Sequence, residues 1–246
     1  VPPRKRAPEL EALDFFDDYT GLKAYVYSKH RARDLWEMIT RHTYEYSEPG
    51  IIFIDRVNEL NNLWYREQIR CTNPCGEQPL PPDACCNLGA LNLALMVKNP
   101  FTDEAEFDYE LLRRTVFIGQ RFLDNVTDVT NYPLDKQRIE QEQTRRTGLG
   151  YSGLASAMAL LGIRYGSTRA ARFTTEVTRA TAIATYQASA LLAEERGAFP
   201  AYDENAFWNN DHSFAAKRFR GQSFYGRPLR NGVSNTLAPT GTTSIA

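Results

Sequence analysis

The sequence contains few cysteines and histidines, and all of its cysteines lie in one short segment. Of 246 residues, four are cysteine and three are histidine. The cysteines occupy positions 71, 75, 85 and 86, whereas a disulfide-stabilised scaffold spreads its cysteines along the chain. The first residues, VPPRKRAPELEALDFF, lack the apolar core of a secretory leader. Thiols without such a leader are typical of a reducing compartment, so we expect a cytoplasmic protein.

A long apolar run and an excess of one charge are also missing. No stretch approaches the roughly 20 apolar residues that span a bilayer, so no membrane partner is expected. The 29 basic and 30 acidic side chains give a formal net charge of -1, which provides no electrostatic case for binding nucleic acid. With 42% apolar and 24% charged residues, the composition is that of a globular protein able to bury a sizeable core.

The two ends of the sequence are unusual for a complete domain. The first residue is not methionine, and the last residues, TLAPTGTTSIA, are an apolar run followed by a glycine turn. Residues 1–13 contain prolines and a basic run, which predicts a flexible lead-in. We therefore expect residues 14–246 to be part of a larger domain, either as a fragment or as one piece of a split protein.

Hydrophobic periodicity predicts helices that alternate with short strands, which is the pattern of an α/β fold. Asp108 and Ser167 are suited to cap the starts of two helices, and Gly197 is suited to end the second one. The predicted elements are helices at 31–47, 108–126 and 167–197, strands at 51–55 and 86–97, an exposed polar helix or loop at 134–147, and a glycine turn leading into an apolar helix at 148–162.

The segment CTNPCGEQPLPPDACCNLGALNL carries the residues with the clearest chemistry. Pro74 and Gly76 favour a tight, exposed loop whose tip bears Cys75, and Glu77 follows two residues later. A carboxylate disfavours a neighbouring thiolate, so this pair argues against a cysteine nucleophile. A neutral thiol beside a general base suits a different reaction. The sulfur becomes a thiyl radical that attacks a C–H bond, while Glu77 takes a proton from a neighbouring hydroxyl.

Three other interpretations of the cysteines remain open at this point. In the first, the loop is structural and its thiols only pack. In the second, the chain is a zinc- or nucleotide-binding module, although the spacing of Cys71, Cys75, Cys85 and Cys86 differs from the usual zinc pattern. In the third, the adjacent pair Cys85 and Cys86 forms a strained disulfide.

Two glycine-containing segments are candidates for binding phosphate. GLGYSG, residues 148–153, has the spacing of a dinucleotide fingerprint, but the polar run EQEQTRRT precedes it where that motif needs a strand. Close packing of backbone against backbone is therefore favoured there. The second segment follows an apolar stretch and offers hydroxyls and backbone N–H groups, which suits either a phosphate cradle or a helix cap. Its residues are Pro239, Thr240, Gly241, Thr242, Thr243 and Ser244.

Together these motifs resemble the large catalytic subunit of the ribonucleotide reductases. NPCGEQPL followed by ACCNLGALNLA is similar to the active-site loop of that family, and the NPCGE form resembles its adenosylcobalamin-dependent class. The resemblance extends over about residues 30–246 and implies part of a ten-stranded α/β barrel with a central finger loop. Its other segments, in family order, are EPGIIFIDRVN, FLDNVTDVTNYPL, RRTGLGYSGLASAMALLGIRYGS, ALLAEERGAFPAY and TLAPTGTTSIA.

The resemblance implies a role for individual residues. Cys75 matches the thiyl-radical cysteine at the tip of the finger loop, and Glu77 matches the carboxylate that deprotonates the ribose 3′-hydroxyl. Asn73 matches the asparagine that hydrogen-bonds the substrate sugar. Cys86 matches one member of the redox pair, whose other member lies outside this chain.

For the remaining residues the resemblance implies less chemistry. Cys71 and Cys85 match no functional residue and are expected to pack. The loop from Pro239 to Ser244 matches the loop that binds the substrate phosphate, and no metal site is implied.

The implied activity is reduction of ribonucleoside di- or triphosphates to 2′-deoxyribonucleotides for DNA synthesis. The implied radical source is adenosylcobalamin, or alternatively a radical-generating partner subunit. The expected partners are complementary segments of the same enzyme, a thioredoxin-type reductant and a second copy in a homodimer. A partial barrel exposes strand edges and leaves a radical unshielded, so the chain alone is expected to be inactive.

Overall fold

A computed structural model describes residues 12–16, 23–241, 243 and 245, and it divides the chain into two compact units. The first unit spans Val1–Ile52 and the second spans Phe53–Ala246. In the first unit, strand β1 (Ala12–Phe16) pairs antiparallel with β2 (Lys23–Tyr25). The predicted lead-in at residues 1–13 lies outside the described residues except for the start of β1.

Helix α1 (Ala32–Tyr46) confirms the helix predicted at 31–47. The strand predicted at 51–55 is wrong. Residues 51–53 have no regular structure, and a helix begins at Ile54. A short apolar run becomes a strand only where another strand accepts its hydrogen bonds. Here the backbone N–H of Val57 instead donates to the carbonyl of Phe53 and starts a helical turn.

The second unit mixes short strands with helices of very different lengths. It contains a long pair of helices, which cross the unit, and several helices of only one or two turns. In chain order the elements are α2 (Ile54–Glu59), β3 (Cys71–Thr72), β4 (Pro79–Leu80), β5 (Asn87–Asn92), a 3₁₀ helix (Leu93–Met96), β6 (Val97–Lys98), β7 (Glu106–Phe107), α3 (Tyr109–Val129), α4 (Asp135–Thr144), β8 (Thr147–Ser152), α5 (Leu154–Leu160), α6 (Thr168–Arg196), α7 (Glu204–Trp208) and α8 (Phe214–Arg218).

Strands β5 and β8 form a parallel pair in which Asn87 lies opposite Thr147 and Asn92 opposite Ser152. A third segment continues this arrangement, because Leu149 forms a parallel bridge with Asn235. The other pairs, β3 with β4 and β6 with β7, are antiparallel. Parallel neighbours joined through helices are the arrangement of an α/β fold, as predicted. The described strands do not close into a barrel, so the ten strands and the central finger loop stay predictions.

One of two hydrophobic clusters of this unit lies between α3, α6 and the parallel pair, and the second contains Tyr186, Trp208 and Phe224. Asp108 caps α3 by accepting a hydrogen bond from Leu111, and Ser167 caps α6 in the same way, so both predicted helix starts are confirmed. The apolar residues of this helix do not all face the core, because Leu123 is buried whereas Phe122 is 65% exposed. Neighbouring residues of a helix point about 100° apart, so only one of these two side chains can face the core.

The segments around β8 differ most from the prediction. Residues 148–152 form a strand rather than a glycine turn, and the apolar helix that follows begins at Leu154. The preceding helix α4 is not fully exposed, because Gln141 and Thr144 are buried. Arg145 is buried as well, where it pairs with Asp124 at 2.8 Å. Polar side chains can be buried when partners satisfy them, and polarity alone does not reveal those partners.

No helix among the described residues is long and apolar enough to cross a membrane.

Candidate active site

The hairpin of β3 and β4 presents the cysteine–glutamate loop. Its two residue pairs join Cys71 to Leu80 and Thr72 to Pro79. Within the loop, Asn73 organises the turn: its backbone N–H donates to the carbonyl of Gln78 at 3.1 Å, and its side-chain oxygen accepts from the N–H of Gln78 at 2.9 Å. These bonds close the loop across its base.

Gly76 completes the turn with a φ of 82°, a conformation that favours glycine. Its N–H donates to the carbonyl of Asn73 at 3.0 Å. Cys75 therefore lies on an exposed tip with a free thiol, as the sequence predicts. Glu77 lies on the returning arm of the loop and is half-buried.

A cavity of about 600 Å³ lies beside this returning arm. Glu77, Gln78 and Pro79 line it from the hairpin, and the segment 233–237 lines it from the other side. Its volume falls within the range of pockets that enclose a drug-sized ligand, which is about 300–1,000 Å³. The structure therefore brings Glu77 to a cavity of nucleotide size. Cys75 and Asn73 belong to the same loop but are not among its lining residues.

The lining of this cavity contains several buried polar atoms without a hydrogen-bond partner. Such atoms are rare in folded proteins and call for a ligand or a water molecule. Three of them can donate and three accept, which matches a ligand rich in hydroxyl groups. The donors are Asn61 Nδ2, Arg146 Nε and Ser234 Oγ, and the acceptors are Glu77 Oε2, Gln78 Oε1 and Asn235 Oδ1.

Gly148 and Gly150 allow three segments to approach one another beside the cavity. A β-carbon at Gly150 would lie 2.1 Å from the carbonyl oxygen of Thr236, and one at Gly148 would lie 3.0 Å from Cys86 Sγ. This close approach is the backbone packing expected of the glycine-rich segment. We name the contact of residues 148–150 with Thr236 the glycine seam. Thr236 also donates its hydroxyl hydrogen bond to the carbonyl of Glu77 at 2.9 Å, which ties the seam to the hairpin.

Cys86 lies in this crowded region as a half-buried thiol. Burial raises its pKa to about 12, the negative charges of Glu77 and Cys85 act in the same direction, and the positive charge of Arg146 opposes them. Burial also raises the pKa of Cys85. Glu77 and Cys86 are thus close enough to interact electrostatically, although Glu77 lies in the loop of the hairpin and Cys86 immediately precedes β5.

The other two cysteines show no such environment. Cys71 is exposed at the base of the hairpin, and its thiol donates to the carbonyl of Leu80 at 3.5 Å, which fits a packing role. All four cysteines are free, so Cys85 and Cys86 form no disulfide. Within the described part of the chain, no group of three or more histidine, cysteine, aspartate or glutamate side chains is arranged to hold a metal ion. The zinc-module interpretation therefore has no support.

The candidate phosphate loop leaves from the rim of the cavity. Leu237 lines the cavity, and Pro239 and Gly241 lie exposed beyond it, with Thr240 half-buried between them. Thr242 and Ser244 lie outside the described residues. Gly241 and Thr243 are in a turn, and a phosphate-binding role for this loop stays a prediction.

Sequence reasoning missed several polar residues of the cavity. Asn61, Asn62, Arg146, Ser234 and Asn235 all line it. One signal was present, because Asn and Ser interrupt apolar stretches in NELNNLW and RNGVSNTL. Such interruptions mark buried polar groups, but they do not show which cavity those groups share.

Comparison with known proteins places this geometry in a family. The family model described as "Ribonucleotide reductase, barrel domain" matches residues 3–246. The chain is 36% identical over 220 residues to the vitamin B12-dependent ribonucleoside-diphosphate reductase of Mycobacterium tuberculosis, covering 89% of this chain and 29% of that protein. It is 35% identical over 241 residues to the enzyme of the same name from Thermoplasma acidophilum, covering 94% of this chain and 29% of that protein.

A third relative carries a different name. The ribonucleoside-diphosphate reductase subunit alpha of Chlamydia pneumoniae is 35% identical over 210 residues, which cover 82% of this chain and 20% of that protein. The chain thus spans less than a third of the length of the curated relatives that it matches. With its family model covering nearly all of its residues, the chain belongs to the ribonucleotide reductases and corresponds to their barrel domain.

Proposed function

We propose that this chain contributes the radical-bearing loop and part of the substrate pocket of a ribonucleotide reductase. The observation that carries the proposal is the position of Glu77, which lines a nucleotide-sized cavity two residues after the exposed thiol of Cys75 and whose buried Oε2 has no hydrogen-bond partner. The substrate is a ribonucleoside diphosphate, because the relatives from M. tuberculosis, T. acidophilum and C. pneumoniae are all named as diphosphate reductases.

The three loop residues divide the first part of the reaction. The Cys75 thiyl radical takes the 3′-hydrogen atom of the ribose, and Glu77 accepts the proton of the 3′-hydroxyl. Asn73 uses its side-chain oxygen to close the loop, which leaves its amide N–H groups to donate to a sugar hydroxyl. The unpartnered donors and acceptors of the cavity complete the hydrogen bonds that a sugar requires.

Cys86 serves the reductive part of the reaction. The 2′-hydroxyl leaves as water, and a dithiol supplies two electrons and two protons while it becomes a disulfide. Cys86 is one half of that dithiol, and the other half is a cysteine outside this chain. A thioredoxin-type dithiol then restores the pair, and this thiol chemistry is consistent with the reducing conditions of the cytoplasm. Its position beside Gly148 and its interaction with Glu77 support this role.

The loop from Pro239 to Gly241, with Thr242, Thr243 and Ser244, binds the substrate phosphates. Its support is its start at Leu237 on the cavity rim, together with the hydroxyl and N–H groups that its sequence offers. A nucleotide whose sugar contacts Glu77 would extend its phosphates toward this rim.

Adenosylcobalamin is the proposed source of the radical. Its support is the naming of two relatives, at 35% and 36% identity, as vitamin B12-dependent. The cavity of about 600 Å³ fits a nucleotide, whereas a corrin is larger than the ligands such pockets enclose. None of the described residues is therefore assigned to the cofactor. The alternative is a separate radical-generating subunit.

The proposal is tested by Cys75→Ser in the whole enzyme, with Cys71→Ser as the matched control. Cys75→Ser should reduce turnover to the detection limit, because an alcohol O–H bond is too strong for the radical exchange. Cys71→Ser should retain nearly full turnover, since the exposed thiol of Cys71 donates to the carbonyl of Leu80 and has no part in the proposed reaction. Calorimetric binding of the nucleotide should survive in both variants. Normal turnover of Cys75→Ser would refute the assignment.

A further inference from the structure

Arg146 is a buried side chain that lines the cavity, and the proposed reaction gives it no role. It is 1% exposed, and its Nη2 donates to both carboxylate oxygens of Glu67 at 2.7 Å. Its Nε has no partner, although it is buried and belongs to a residue that lines the cavity. A buried guanidinium N–H without a partner is costly, so its retention points to an acceptor that is present only at some stage of function.

The strand register places the base of the Arg146 side chain on the face that Cys86 contacts. Asn87 lies opposite Thr147 at the start of the parallel pair. Cys86 and Arg146 are the residues immediately before these two. Alternate residues of an extended chain share a face, which puts Arg146 on the face of Gly148. The sulfur of Cys86 packs against that same face, 3.0 Å from the β-carbon position of Gly148.

The charged groups around Cys86 oppose one another. Glu77 adds negative charge near the sulfur, whereas Arg146 is the cation among the groups that act on it. Glu67 holds the far side of the guanidinium and compensates its charge while Cys86 remains a neutral thiol. The Nε side is then left for a negative charge that forms on the sulfur.

We propose that Arg146 is a positioning residue that stabilises Cys86 as a thiolate when its disulfide is reduced. The inference rests on the proposed function, because the disulfide forms only if Cys86 reduces substrate. One thiolate of an external dithiol attacks the sulfur of the partner cysteine, the S–S bond breaks, and Cys86 leaves with the electron pair. The second thiolate then closes the disulfide of the reductant and releases the partner cysteine. The two protons of the reductant pass to the two released sulfurs.

The experiment measures how fast iodoacetamide alkylates Cys86 between pH 7 and 10 in the reduced whole enzyme, by peptide mass spectrometry. Glu67→Gln combined with Arg146→Gln removes both charges and avoids leaving either one buried and unpaired. A rise of one unit in the pKa of the thiol reduces the thiolate fraction about tenfold below that pKa. We expect alkylation at pH 8 to fall about tenfold in this double variant. Alkylation at the wild-type rate would overturn the proposal.

Two further variants separate charge from packing. Glu67→Gln alone frees the guanidinium, so Cys86 should react faster than in the wild type at the same pH. Arg146→Lys keeps a cation and should lie between the wild type and the double variant. A purely structural role would change the rate in one direction in all three variants, and that result would also overturn the proposal. Should the double variant fail to fold, Glu67→Gln decides, because an unchanged or slower rate contradicts the charge argument.

Alkylation of exposed Cys71 in the same samples is the internal reference for the reactivity of iodoacetamide at each pH. The measurement needs no turnover. If the proposed function is wrong, the Cys75→Ser enzyme will be active. If this inference is wrong, the pH dependence of Cys86 alkylation will not change when Arg146 is replaced.

Discussion

The cysteine–glutamate loop and the glycine seam, which lie on two sides of the same site, tolerate change very differently. At Gly76 in the loop, an added β-carbon would meet no atom within 4 Å, and only the φ of 82° favours glycine. At Gly150 in the seam, a β-carbon would lie 2.1 Å from the carbonyl oxygen of Thr236. The thiol of Cys75 is thus carried by an open turn, whereas the glycine seam is held by backbone contacts that leave no room.

This difference separates two requirements of the site. In the proposed reaction a thiol exchanges a hydrogen atom with a radical source and needs to be reachable, and Cys75 is exposed. In the proposed reaction Glu77 and Cys86 hold fixed positions around a substrate, and the seam contacts both through Thr236 and Gly148. Thr236 connects the glycine seam to the cysteine–glutamate loop, because its backbone lies against Gly150 and its hydroxyl donates to the carbonyl of Glu77.

Gly150→Ala should break the seam and have the largest effect on stability. The new β-carbon would meet backbone rather than a flexible side chain, so strands must separate, and overpacking of this kind costs about 3 kcal/mol. Gly50→Ala is the matched control, since nothing lies within 4 Å of its β-carbon position, and it should change stability by less than about 0.5 kcal/mol. Urea unfolding of both variants measures the difference. Equal midpoints would mean that the seam is not rigid.

Gly76→Ala should have a smaller effect, confined to the loop. Alanine in the left-handed conformation costs about 1–2 kcal/mol, and no steric clash adds to it. Turnover should fall more than stability, because the strain displaces the neighbouring Cys75 and Glu77. Paired measurements of kcat and of the unfolding midpoint check this. A loss of stability as large as that of Gly150→Ala would remove the contrast between the two regions.

Thr236→Val should have the smallest effect on stability, because it removes one hydrogen bond and keeps the shape of the side chain. A hydrogen bond of this kind contributes about 1 kcal/mol. Thr236→Ser keeps the hydroxyl and is the control. If the link between seam and loop matters for the position of Glu77, Val should reduce kcat while Ser largely preserves it. Equal kcat values for Val and Ser would show that the hydroxyl does not position the loop.

The parts of the fold that were predictable depend on neighbours along the chain. The caps of α3 and α6 are examples. In each, a side-chain oxygen accepts a hydrogen bond from the backbone N–H three residues further along the chain. The strand predicted at 51–55 failed for the opposite reason, because a strand depends on a partner that its own residues do not specify. β8 was missed because a glycine-rich segment resembles a turn until its tight contact with Thr236 is known.

The sequence by itself determined the local arrangement of the loop that carries the proposed chemistry. Cys75, Gly76 and Glu77 are adjacent or nearly so, and a turn of a few residues has few conformations to choose from, so their arrangement follows from local geometry. Only the tertiary structure decided what surrounds that loop. Arg146 and Glu67 are 79 residues apart, and Thr236 reaches Glu77 across 159 residues. Such contacts are the outcome of packing over the whole unit, where many small energies compete, and no short pattern in the sequence encodes them.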